Sequence, residues 1–218
     1  LHVLRAPVGG LFRHVVDLAS EQAARGHAVG IIADSGTGGE AAAVRLEALE
    51  QKLSLGITRV PMSRDLGASD RAAIAHVVAR AGGTNANVLH GHGAKGGAYV
   101  RLAKSSALKV YTPHGGSLHY SAFSPAGFVY LASERLMKKR TDLFLFESEY
   151  ALNTFTKKLG KPAFARVVHN GIRPDELEKV EPEADAVDFI FVGELRELKG
   201  PDLLIEALSI LASDGWSG

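Results

Sequence analysis

Val167-Val168-His169-Asn170-Gly171-Ile172 and, after a charged connector, Phe189-Ile190-Phe191-Val192-Gly193-Glu194-Leu195-Arg196-Glu197-Leu198-Lys199-Gly200 divide this chain into two parts. Everything before the divide reads as one complete α/β domain, and everything after it as the first strand, loop and helix of another. Residues 189–192 are four consecutive apolar residues, a run suited to a strand covered on both faces. Gly193 ends that run, and Pro201 fits the first turn of a helix, where its missing N–H costs nothing. Leu203, Leu204, Ala207, Leu208 and Leu211 then recur at helical spacing. A strand, a basic loop and a helix N-terminus suit an anion, because unpaired N–H groups point into the loop. The bland alternative is a connection that binds nothing.

Working outward, short apolar runs alternate with amphipathic ones along the whole chain. That is the pattern of an α/β, Rossmann-like parallel sheet with helices on both faces. Strands are expected at 1–4, 29–33, 57–60, 88–90, 108–111, 143–146 and 165–168. Helices are expected at 11–25, 40–52, 70–80, 95–104, 128–140 and 149–158, with Ser69 or Asp70 as one cap. The organisation predicted is a first domain over 1–170, a linker over 171–186, and the start of a second Rossmann-like domain over 187–218. The linker is acidic and contains proline. Leu1 already lies inside a strand-like run and Trp216-Ser217-Gly218 follows directly on a helix, so the expectation is a piece of a longer protein.

With 218 residues, 46% of them hydrophobic, the chain can bury a substantial core. A net charge of +1 argues against a protein built to coat nucleic acid. The sequence contains no cysteine, which excludes disulfides and thiolate metal sites and fits a reducing, cytoplasmic compartment. No apolar run approaches the roughly 20 residues needed to span a bilayer. Lys138-Lys139-Arg140 reads first as a solvated helix end favoured by the helix dipole. Its sharper reading is a weak attraction to anionic lipid headgroups, which gives peripheral contact at the inner face of a membrane.

In an open parallel sheet, ligands sit beyond the carboxyl ends of the strands, and unusual residues gather there. Gly9 and Gly10 follow the first strand, and His90-Gly91-His92-Gly93 the fourth. His114-Gly115-Gly116 follow the fifth, and Glu147-Ser148-Glu149 the sixth. Glycine admits close backbone approach and the polar side chains orient a ligand, so His90, His92, Gly115, Gly116 and Glu147 are read as acceptor- or sugar-facing. Gly9-Gly10 is either a diphosphate seat at a helix N-terminus or a turn that needs glycine for its dihedrals. Neither a dinucleotide fingerprint nor a Walker loop is present, and there is no nucleophile elbow. His90, His92 and His114 invite a metal reading, but no carboxylate stands near them in sequence and no third ligand falls at diagnostic spacing. The expectation is no metal. His14, His27 and His76 are read as solvent-facing or capping.

Taken in order, Pro7-Val8-Gly9-Gly10, Arg25-Gly26-His27-Ala28-Val29, Thr112-Pro113-His114-Gly115, Glu147-Ser148-Glu149-Tyr150, His169-Asn170-Gly171-Ile172 and Val192-Gly193-Glu194-Leu195 with Lys199-Gly200 and Leu204-Ile205-Glu206-Ala207 resemble glycosyltransferase family 4. The resemblance implies a GT-B fold, two Rossmann-like domains facing across a cleft, of which this chain carries the N-terminal one. It implies retaining transfer of a sugar from a nucleoside-diphosphate donor to a glycan, lipid-linked or small hydroxyl acceptor, as in polysaccharide biosynthesis, with no cofactor and no metal. It implies that Gly9 and Gly10 lie by the donor diphosphate, that His114 contacts the transferred sugar as the catalytic residue, and that Asn170 and Gly171 form the hinge. Lys199 would pair with the donor phosphates. The family usually carries Arg where Glu194 stands, so Arg196 is the proposed substitute on those phosphates. The Glu-x7-Glu signature lies farther along than this chain reaches, so the fragment is expected to have little activity alone. The competing readings are a non-catalytic sugar- or nucleotide-binding domain, a sugar-nucleotide epimerase of the same fold, and a hydrolase holding a metal on His90, His92 and His114.

Overall fold

A computed structural model describes residues 1–65, 67–119, 124–193, 195 and 197–216. The chain forms two compact units, Leu1–Arg173 and Pro174–Gly218. In the first, β1 (His2–Leu4), β2 (Ile31–Asp34), β3 (Ile57–Val60), β4 (Val88–His92), β5 (Leu108–Thr112), β6 (Leu143–Phe146) and β7 (Ala165–Val167) alternate with helices. These helices are α1 (Gly9–Ala24), α2 (Gly39–Glu50), α3 (Ala68–Gly83), α4 (Gly93–Leu102), α5 (Pro125–Lys138) and α6 (Glu149–Leu159). All seven strands are parallel, in the order β3-β2-β1-β4-β5-β6-β7. Each run that the periodicity marks as a strand in this unit therefore forms one, in an α/β, Rossmann-like sheet.

The pleat sorts the core by period two. Val3, Ile32 and Leu89 point to the face that carries Val77, Tyr99 and Val100. Their neighbours Leu4, Ile31 and Ala33 point to the opposite face, against Phe12, Val15 and Leu46. A third cluster, with Phe144, Phe146 and Phe155 at its centre, closes the β5–β6 end. Because right-handed crossovers run outward in both directions from the middle, the chain reverses its progress between β1 and β4. That switch point opens a crevice at the carboxyl ends of these two strands.

Several boundaries move for physical reasons. The strand expected to end at His90 continues to His92, because His92 pairs with Leu4 and with Thr112 on the flanking strands. Residue 67, not Ser69 or Asp70, is the N-cap of α3, and the Asp70 carboxylate accepts from the Gly67 N–H at 2.9 Å. Ser148 caps α6 by accepting from the Ala151 N–H at 3.1 Å.

The second unit departs from its sequence reading. The helix α7 (Pro201–Ser213) forms, with Gly200 as N-cap at φ 66° and Pro201 in its first turn. Residues 189–192, read as a strand covered on both faces, form no strand, and Ile190 and Val192 are exposed. A strand is held by ladder hydrogen bonds, and the described residues of this unit include no second strand to supply them.

In the first unit α4 lies unusually close to the sheet. A Cβ on Gly96 would sit 2.3 Å from the Val3 carbonyl oxygen, and one on Gly97 would sit 2.2 Å from the Tyr111 ring. A Cβ on Gly91 would in turn meet the Gly97 Cα at 2.6 Å. The helix is then tied sideways by a buried pair. Arg101 donates to Glu134 of α5 at 2.6 and 3.2 Å and to the Gly97 carbonyl at 2.9 Å, while its guanidinium lies 3.9 Å over the Tyr111 ring. Tyr111 Oη donates to the same carboxylate at 3.0 Å.

Gly96→Ala is expected to lower stability in urea unfolding. Its helix-propensity gain is about 1 kcal/mol, but the overlap is with backbone, which cannot turn aside, and overpacking of that kind costs about 1–3 kcal/mol. A neutral or raised unfolding midpoint would show that α4 can lift off the sheet at no cost.

Candidate functional site

The switch point carries an open cavity of about 700 Å³ at the carboxyl rim of β1, β4 and β5. Leu11, Leu102, Tyr130 and Met137 make its apolar wall, and Arg5, Arg64, Lys95 and Arg140 make a cationic border. Glu134 also lines it, but its oxygens accept from Arg101 and Tyr111. Asp70, bonded to Lys95 at 2.5 Å and to Tyr99 at 2.6 Å, tethers Lys95. The remaining border charge is positive and suits an anion.

Two helices begin at this crevice without a side-chain cap. Val8 stands at the N-cap of α1 and His92 at that of α4, where Ser, Thr, Asp or Asn would otherwise accept from first-turn N–H groups. The Gly9 Cα has open space above it and φ 64°, so that residue needs its glycine for the turn. Gly10 has neither a positive φ nor a neighbour within 4 Å of a built Cβ, so no packing contact accounts for it. Gly116 lines the cavity beside the start of α4, with a built Cβ 3.4 Å from the Ala94 nitrogen. Gly115 turns the chain at φ 76°.

Imidazoles form the floor. His92 and His114 line the cavity, and His114 holds φ 50°. A left-handed conformation costs a non-glycine residue roughly 1–2 kcal/mol. His90 lies a layer below. It is 6% exposed, its ring centroid is 3.9 Å from that of His92, and its Nε2 is 2.8 Å from Thr112 Oγ1. His90 therefore packs beneath His92 and does not itself line the cavity. Burial holds the whole group neutral: His2 and His114 are pushed down to about 4, His14 is lowered, and His90 and His92 fall well below the usual histidine range.

Two members of this cluster escaped the sequence reading. His14, expected to face solvent or cap a helix, is half-buried, with its ring 5.3 Å from His114 and 6.1 Å from His92. It sits one turn beyond Gly10 on α1, a spacing that carries a signal only once Gly9-Gly10 is placed at the rim. His2 is buried and pairs in register with His90 across β1 and β4, a neighbour relation that no local pattern reveals. Glu147 at the end of β6 raises the proton affinity of His14, and its buried Oε2 has no hydrogen-bond partner among the described residues.

His2, His90 and His92 bring ligand nitrogens within 4.8 Å of one another, as do His14, His92 and His114. The third ligand that sequence spacing lacks is thus supplied in space. Both ring nitrogens of His92 already meet a partner, His2 at 3.0 Å and His114 at 3.1 Å, so an ion in either group would take a lone pair from these contacts. His2 and His92 thus use both ring nitrogens in hydrogen bonds, while His14 and His114 each keep a ring nitrogen outside the set.

The remaining sequence-marked residues lie elsewhere. Asn170 and Gly171 are exposed just after β7, before the end of the first unit at Arg173. Lys199 is exposed on a short 3-10 turn, Glu197–Lys199, in the second unit. Arg196 and Glu194 lie outside the described residues, as does part of the loop after Gly116. Among the described residues no helix is long and apolar enough to cross a membrane.

Residues 8–176 match the family described as Glycosyltransferase Family 4. Among solved structures, that of Anabaena Alr3699/HepE in complex with UDP and glucose superposes with TM-score 0.59 at 17% identity, over 78% of this chain and 44% of that one. A glycosyltransferase from Rickettsia africae gives TM-score 0.59 at 16% identity, over 80% and 43%. An uncharacterized 41.2 kDa protein in the cps region of Klebsiella pneumoniae is 25% identical over 140 residues, 57% of this chain and 39% of that protein. The chain spans about two fifths of the length of these relatives.

The depressed histidines make stability depend on pH. Their folded proton affinity lies below the unfolded one, near 6.5, so the unfolded chain binds more protons between that pH and about 4. Stability is full above pH 6.5 and falls with acid. His2 alone contributes about 3 kcal/mol across the window, at roughly 1.4 kcal/mol per pH unit. Urea unfolding at pH 7.5 and pH 5 should show about 2 kcal/mol of this loss from His2, and His2→Leu should reduce it. An unchanged pH slope in that variant would contradict the assignment.

Proposed function

The chain belongs to Glycosyltransferase Family 4, and from that premise we propose that it forms the acceptor-side half of a retaining transferase, moving a sugar from a nucleoside-diphosphate donor to a hydroxyl. The observation that carries the reading is the meeting, at one switch point, of two uncapped helix starts, a cationic border and the His114 ring. Transfer breaks the bond between the sugar and the diphosphate, and the departing group gains negative charge. First-turn N–H groups of α1 at Gly9 and Gly10, already oriented, stabilise that charge more than the starting state and so lower the barrier. No metal is needed for that step. In this reading Lys199 and Arg196 supply further cations from the second half, and Asn170-Gly171 lets the halves close. HepE, which was solved with UDP and glucose, supports a nucleotide-sugar donor.

His114 is read as the group that meets the transferred sugar, with Gly115 and Gly116 letting the backbone approach. His92 lies beside it, Glu147 acts on the neighbouring His14, and His90 packs against His92 from below. An apolar wall under a basic border suits an acceptor with an apolar body and an anionic head, which favours a lipid-linked acceptor over a free sugar. The outward side of α5 adds to this: Phe128 and Leu136 are 68% and 77% exposed, and Lys138, Lys139 and Arg140 end the helix. Such a face fits peripheral contact with an anionic, cytoplasmic membrane surface.

In the complete protein, His114→Ala should reduce kcat by about a hundredfold, in the range for losing one group aimed at the reacting centre. The assay is sugar release and transfer across a panel of nucleotide sugars, with donor binding followed by thermal shift. The 218-residue chain alone is expected to transfer no sugar. Full activity in His114→Ala, or no nucleotide-sugar binding by the complete protein, would overturn the reading.

A further inference from the structure

Gln22, on the last turn of α1, begins a line of hydrogen bonds that crosses the core to the cavity. Its Oε1 lies 2.8 Å from His2 Nε2. His2 Nδ1 lies 3.0 Å from His92 Nε2, and His92 Nδ1 lies 3.1 Å from His114 Nε2. His114 Nδ1 is the end of the line, with no hydrogen bond among the described residues.

A neutral imidazole has one donor nitrogen and one acceptor, so each link dictates the next. With the Gln22 amide oxygen toward it, His2 carries its proton on Nε2 and leaves Nδ1 bare. His92 must then donate from Nε2, which leaves its Nδ1 bare. His114 must donate from Nε2 to that nitrogen, and its own Nδ1 is left as an acceptor. Burial excludes the charged forms that would break this sequence, since His2 and His92 are 3% and 1% exposed. An unaided histidine distributes its proton between both nitrogens; here the orientation of the Gln22 amide sets the sense of the whole line.

We propose that Gln22 and His2 are positioning residues that act through His92 to place the His114 proton on Nε2, so that a bare Nδ1 faces the ligand as a hydrogen-bond acceptor. The ligand class follows: a group that donates, such as a sugar hydroxyl, and not a carbonyl or phosphate oxygen. The identity of that hydroxyl rests on the transferase reading above. The directed line of tautomers does not, because it is a property of the folded chain.

The test changes the sense of the first link. Gln22→Lys presents only donors to His2 Nε2, so every proton on the line must reverse and His114 must carry its proton on Nδ1. Gln22→Met fills the space and directs nothing. Two-bond nitrogen–proton NMR spectra of the histidine-labelled 218-residue chain at pH 7.5 read each tautomer, with single His→Gln variants for assignment. Expected are Nε2–H on His2, His92 and His114 in the parent, Nδ1–H on all three in Gln22→Lys, and mixed His114 tautomers in Gln22→Met. The proposal is overturned by a parent tautomer at odds with this order, or by a His114 signal that both variants leave unmoved. A stoichiometric metal on His92 Nδ1 would overturn it as well. In the complete protein Gln22→Lys should lower kcat/KM for the donor about tenfold, the weight of one hydrogen bond. A reversed line with unchanged kcat/KM would refute the positioning role. A parent protein without transferase activity would refute only the function, since the spectra are read without it.

Discussion

The first unit depends on how closely α4 approaches the sheet. With glycine at positions 91, 96 and 97, helix backbone rests almost directly on β1 and β4, nearer than any side chain would allow. A buried ion pair costs much desolvation, so the Arg101–Glu134 pair gains its place through geometry. Two hydrogen bonds to the carboxylate, one to a carbonyl and a ring beneath the guanidinium leave no charge unpaired. Together these contacts determine where α4 begins. That beginning, His92-Gly93, is one wall of the crevice.

From that position the electrostatics follow. The crevice receives the positive ends of two helices and a border of Arg and Lys, while the one carboxylate among its lining residues is engaged with Arg101 and Tyr111. The histidines beneath take no part in this charge. Packed against one another and out of water, they stay neutral and can pass hydrogen bonds with a sense of direction. Cationic border and neutral floor are complementary: one suits an anion, the other a neutral polar group. The αL strain at His114 falls at the same place, since His114 lines the cavity.

Much of this was legible one element at a time. Short apolar runs alternating with amphipathic stripes located the seven strands and six α-helices described in the first unit, because each pattern follows from backbone geometry. Glycines and imidazoles at successive strand ends pointed to the rim, since a parallel sheet places all those ends on one side. Residues 189–192 show the limit of such reasoning. Their pattern states a preference, but a strand exists only when a neighbour completes its ladder.

The sequence by itself determined the α/β class, the rim on which the glycines and imidazoles collect, and the family, because each follows from local order along the chain. Tertiary structure alone decided that His2 and His14 belong to the cluster, that His90 lies beneath it, and that Gln22 reaches it from the end of α1. Those relations depend on which strands and helices become neighbours. That choice is made by packing between residues 20 to 90 positions apart, a distance over which no sequence period carries information.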